Sequence, residues 1–127
     1  MSRKTPLGRV LGLGAAGGSH HWWLQRLSSI ALVPLGAWFA IALLTLPDFG
    51  WVGVHAWLSR PASTVLLLLL LPTALHHSWL GVTVVVEDYV SAPVAKTLTL
   101  LTLQLAHLLV GAAALYAILR IAFGSTP

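Results

Sequence analysis

Two histidines stand side by side at His76 and His77, just beyond the leucine run Leu66–Leu71, in a segment that otherwise reads as membrane hydrocarbon. Ionisable groups are costly there, and a chain that keeps them uses them to bind something or to carry protons. On a helix of about 3.6 residues per turn, His77, Gly81, Val84 and Asp88 fall along one stripe. That spacing suits a b-type haem. The axial imidazole brings a flat macrocycle close to its own helix, and a glycine one turn away removes the side chain that would collide. His76 points about 100° away from His77. Lacking a glycine partner, it is expected to hydrogen-bond within the bundle, and it remains the competing ligand. His107, eleven residues after Lys96, should reach the depth that His77 reaches ten residues before Glu87, roughly 15 Å from the surface. It is either a polar bridge between helices, the preferred reading, or a second ligand from the same chain.

Beyond the stripe the apolar run stops at Glu87, Asp88 and Tyr89. These three residues can be a simple polar stop with the phenol as an interface anchor. They can also serve quinone chemistry, which takes two electrons and two protons: a phenol donates a hydrogen bond to a carbonyl oxygen, and a carboxylate relays protons from water. Arg26, at the foot of the first apolar run, either snorkels to lipid headgroups or pairs with an anionic group of a bound cofactor; residue chemistry alone weighs these equally.

Composition sets the elements that must position these groups. Of 127 residues, 57% are hydrophobic and 8% charged, where a soluble domain has about 25% charged. The fold class is therefore an all-α membrane protein. There is no cysteine, which excludes disulfides, thiolate metal sites and cysteine nucleophiles and leaves histidine to hold any cofactor. The expected order is a basic N-terminal arm, 1–26, then a single transmembrane domain, 27–123, with helices at about 27–47, 62–86 and 97–123, and a tail, 124–127. Each helix is long enough for the roughly 30 Å of bilayer hydrocarbon. Pro34 and Pro72 fall inside spans, which membrane helices tolerate. The link from Asp48 to Arg60 reads as a short connection with His55 as a polar loop residue. Gln104, His107, Gly111 and Ala114 form a small and polar stripe of the kind helices offer to one another.

The arm contains Gly12-Leu13-Gly14-Ala15-Ala16-Gly17, which matches a dinucleotide-binding string, but neither the strand before it nor the helix opening after it that the motif requires is expected in this arm. A cleaved signal peptide is not expected, because the basic region is long and the apolar run is a full span. Arg3, Lys4, Arg9, Arg26 and Lys96 fall on the N-terminal side, against Arg60 and Arg120 on the other, so the positive-inside rule puts the N-terminus in the cytoplasm and the C-terminus in the periplasm.

The block ending Gln25-Arg26, the motif His77-Ser78-Trp79-Leu80-Gly81 and the following Asp88-Tyr89-Val90 resemble the small hydrophobic membrane anchor subunit of bacterial succinate dehydrogenase, the D-type anchor of respiratory complex II. Thr5-Pro6-Leu7-Gly8-Arg9-Val10 and Gly12-Leu13-Gly14 are similar to its alphaproteobacterial branch, and the likeness covers nearly the whole chain. It implies three helices in a heteromeric bundle with a second membrane anchor of the cytochrome b556 type, together seating an iron–sulfur subunit and a flavoprotein subunit. It implies haem b with His77 as one axial ligand and Gly81 packed against the macrocycle, the other ligand coming from the partner anchor. It also implies Tyr89 on ubiquinone with Asp88 beside it, Arg26 near the haem propionates and the quinone, and His20 close to the propionates. His21, His55, His76 and His107 gain no such support. Residue chemistry leaves two other readings open, a cytochrome b-type anchor of another respiratory dehydrogenase and a cofactor-free membrane scaffold.

Overall fold

The computed structural model describes residues 16–124, with side chains from Trp22 onward. Four helices follow one another: α1 (Ala16–Leu44), α2 (Trp51–Leu58), α3 (Pro61–Tyr89) and α4 (Pro93–Phe123). The three long ones, α1, α3 and α4, are long and apolar enough to cross a membrane. The chain is a multi-pass, all-helical membrane protein.

Local chemistry sets the helix ends. Pro47 cannot extend α1, whose last turn closes through Thr45 and Leu46 on the Ile41 and Leu43 carbonyls. The Asp48 carboxylate then accepts the Gly50 N–H at 2.7 Å, turning the chain into α2. Gly53 is needed here, since a Cβ would collide with the Asp48 carbonyl. Pro61 and Pro93 each open a helix, where the absent N–H costs nothing. At the far end of α3, Lys96 Nζ donates to the Glu87 carbonyl at 2.9 Å, a cation on the negative end of a helix dipole.

The helix α3 is central. It packs on α1, α2 and α4, whereas α1 and α4 do not pack on each other among the described residues. The half-buried positions of α4, among them Leu100, Leu103, His107, Gly111, Ala114 and Ile118, recur every three or four residues and face its neighbours. Gln104 is exposed and drops out of the expected stripe. The helices α3 and α4 run antiparallel, with Leu75 level with Gly111 and Ser78 level with His107. Trp57 of α2 is buried and stacks on Trp38 of α1, with centroids 6.0 Å apart. Elsewhere large apolar side chains are exposed along all three long helices, as lipid-facing surfaces require.

Three expectations need correction. The helix α1 starts at Ala16, not near Leu27, because residues 16–26 hold no proline and a helix can continue past its apolar run into the headgroup zone. The rest of the arm, with Arg3, Lys4, Arg9 and most of the glycine string, lies outside the described residues. The Asp48–Arg60 connection holds a helix, so His55 is helical and half-buried rather than a loop residue; the buried Trp57 anchors this turn against α1. Finally, α3 runs on to Tyr89 and α4 starts at Pro93, so Glu87, Asp88 and Tyr89 form the last turn of α3.

A Cβ at Gly111 would lie 2.9 Å from Leu75 Cδ1, the tip of a flexible side chain. Gly111→Ala is therefore expected to be mild. Gly111→Ile should force α3 and α4 apart at a cost of about 1–3 kcal/mol, measured as a lower unfolding temperature than that of the alanine variant in the same detergent.

Candidate functional site

The helices α1 and α3 are antiparallel, and polar side chains mark their register. Ser28 stands opposite His77, and Gln25 opposite Gly81. Ser28 is buried at 7% exposure and His77 is half-buried. Ser28 Oγ lies 3.0 Å from His77 Nδ1 and 2.9 Å from the Gln25 carbonyl, to which it donates. Ser29 Oγ donates to the same carbonyl at 2.8 Å. The second ring nitrogen, His77 Nε2, is 3.5 Å from Gln25 Nε2, the outer limit of a hydrogen bond. Gln25 Oε1 is buried with no hydrogen-bond partner among the described residues.

Gly81 opens on the same space. A Cβ there meets only Gln25 Nε2, at an ordinary 3.7 Å. The packing inside this chain would accept alanine at 81. His77 Nε2 and Gly81 thus share one face of α3, and a single amide covers both.

The other imidazoles are placed differently. His107 Nδ1 donates to the Leu103 carbonyl at 2.8 Å, which leaves Nε2 to accept from the Ser78 hydroxyl at 3.2 Å. Its ring meets Trp79 edge-on, with centroids 5.9 Å apart. Both ring nitrogens are used, and the residue bridges α3 and α4. His76 is exposed beside a groove of about 350 Å³ lined by Leu24, Leu27, Ser28, Ala31, Pro72 and Thr73. It makes no side-chain hydrogen bond among the described residues, contrary to expectation, because it points toward the outer edge of the α1–α3 seam. His55, near Ser59 and Trp51, sits at the opposite end beside a groove of about 560 Å³ that Tyr116 and Arg120 also line.

Arg26 is exposed, with its guanidinium 4.5 Å from the centre of the Trp22 ring. This cation–π contact contributes about 0.5–1 kcal/mol. The α1–α3 register puts Arg26 at about the depth of Leu80, roughly 10–12 Å along the axis from Asp88. Asp88 and Tyr89 are exposed at the end of α3, Tyr89 at 84%. The side chains of His20 and His21 lie outside the described residues.

Residues 1–119 match the family described as succinate dehydrogenase/fumarate reductase transmembrane subunit. The chain belongs to this family of transmembrane subunits. It is 35% identical over 96 residues to a succinate dehydrogenase hydrophobic membrane anchor subunit of Rickettsia bellii, covering 75% of this chain and 76% of that one. The protein of the same description from Rickettsia felis is 36% identical over 89 residues, 69% of this chain and 73% of its own. No solved structure matches the chain significantly.

Within this transmembrane subunit, two residues of the site escaped sequence reading. Gln25 figured only as a neighbour of Arg26, and Ser28 not at all. The signal was present: Gln25, Ser28 and Ser29 are polar residues at helical spacing inside or at the edge of an apolar span.

The bridging role of His107 has a modest expected size, since polar contacts between membrane helices average about 0.6 kcal/mol and reach about 1.7. His107→Ala should lower stability within that range by thermal or denaturant unfolding. Ser78→Ala should cost no more when added to it, because both remove one bond.

Proposed function

We propose that this chain is the hydrophobic membrane anchor subunit of a succinate:ubiquinone oxidoreductase in the bacterial inner membrane, with its N-terminus cytoplasmic and its C-terminus periplasmic. It pairs with a second, cytochrome b-type anchor, and the two seat an iron–sulfur subunit and a flavoprotein on the cytoplasmic face. Family membership over most of the chain supports the assembly. The charges of Arg3, Lys4 and Arg9 support the orientation.

The residues around His77 fit a haem b shared with the partner anchor. The observation that carries this reading is the common face of His77 Nε2 and Gly81, covered by one amide held at the limit of hydrogen-bond distance. Gln25 has three rotatable side-chain bonds and a buried oxygen without a donor among the described residues, so little is lost when it turns aside. His77 would be the axial ligand and Gly81 would give the close approach. Arg26, at the depth of Leu80, would face the propionates or the quinone, and His20 belongs with it. When bound, haem b supplies a one-electron centre whose potential depends on its ligands and their hydrogen bonds.

At the surface end of α3, Tyr89 donates a hydrogen bond to a ubiquinone carbonyl oxygen, and Asp88 carries protons from water to it. Both side chains are exposed in the isolated chain, which suits residues completed by partner subunits. Electrons from succinate reach the quinone here from the iron–sulfur subunit. The chain is non-catalytic alone, having neither a flavin site nor a dicarboxylate site in this reading.

His77→Ala is expected to abolish or alter the reduced-minus-oxidised visible spectrum of the purified complex. An unchanged spectrum would move ligation to His76 or His107. Tyr89→Phe should lower quinone reduction by on the order of a hundredfold while succinate oxidation with an artificial acceptor persists; equal loss of both would mean failed assembly. Copurification with hydrogenase or formate-oxidising subunits would favour a different respiratory dehydrogenase, and an assembled complex with no visible spectrum a cofactor-free scaffold.

A further inference from the structure

We infer that Ser28 is the positioning residue for His77: it holds the ring as the Nδ1–H tautomer and turns the Nε2 lone pair toward the face it shares with Gly81. The inference rests on the reading of His77 as a haem ligand and assigns a role to a residue on a different helix.

The hydrogen-bond geometry carries it. Ser28 has one hydroxyl proton and two neighbours that could take it, the Gln25 carbonyl at 2.9 Å and His77 Nδ1 at 3.0 Å. If the proton went to Nδ1, Ser28 Oγ and the Gln25 carbonyl oxygen would stay 2.9 Å apart with no hydrogen between them. If it goes to the carbonyl, the Ser28 lone pairs are free to accept Nδ1–H, and both short contacts become hydrogen bonds. Ser28 is buried, so water cannot readily replace its hydroxyl.

A metal-ligating histidine commonly donates its other N–H to a fixed acceptor, which sets the tautomer and makes the ligand more basic. A more basic ligand favours the ferric state and lowers the haem potential. Removing the acceptor should do the reverse.

The test uses the assembled complex. In Ser28→Ala the haem midpoint potential should move positive and haem loss should speed up about ten- to a hundredfold, with Ser28→Thr restoring both toward wild type. Ser29→Ala, which removes the companion hydroxyl from the same carbonyl without touching His77, should change neither. A Ser28→Ala complex with wild-type potential and haem retention overturns the role of Ser28 and leaves His77 ligation standing. A spectrum that survives His77→Ala instead overturns the haem reading. The hold on the ring is then read from the nitrogen-15 resonances of His77, where Nδ1 protonated in wild type and a tautomer mixture in Ser28→Ala support it, and identical resonances overturn it.

Discussion

Inside a bilayer, helices gain no hydrophobic energy by touching one another, so close packing and a few polar bonds must choose the register. Here two serine–histidine pairs do so at a single level of α3. His77 bonds Ser28 of α1, and its neighbour Ser78 bonds His107 of α4. The adjacent residues point to opposite partners, so one turn of the central helix fixes both flanking helices. At about 0.6 kcal/mol each, the bonds are too weak to account for the fold's stability. Their importance is geometric, since a slip of α1 by one turn would strand Ser28 and His77 together.

The two pairs differ in what they leave over. His107 spends both ring nitrogens inside the chain. His77 spends Nδ1 on Ser28 and meets only the Gln25 amide nitrogen, 3.5 Å away, at Nε2, on the face it shares with Gly81. Gln25 covers that face loosely, with its own oxygen unsatisfied among the described residues. The α1–α3 seam is therefore less fully hydrogen-bonded at this level than the α3–α4 seam among the described residues. The same helix carries Asp88 and Tyr89 at its exposed end, roughly 15 to 18 Å along the axis from His77, so one element spans a membrane-buried position and a surface position.

Much of this was legible in the sequence. Three spans follow from apolar runs, and the common face of His77 and Gly81 follows from helical periodicity. The pairing of Ser28 with His77 did not follow, because the partners are 49 residues apart and the polar spacing of Gln25, Ser28 and Ser29 marks a face of α1 without naming the helix it meets. Helix ends were misjudged where polar residues continue a helix beyond the hydrocarbon, at Ala16 and at Tyr89. The short α2 was hidden because eight residues are too few to show a span, and it is Trp57 packing against Trp38 that anchors it.

The most direct test of His77 as the group this fold presents is a structure of the assembled complex in lipid. The expected result is a haem iron bonded to His77 Nε2 on the Gly81 side, with Ser28 still at Nδ1 and the Gln25 amide turned away. Iron bonded to His76 or His107, or a His77 Nε2 still covered by Gln25 in a haem-loaded complex, would contradict it.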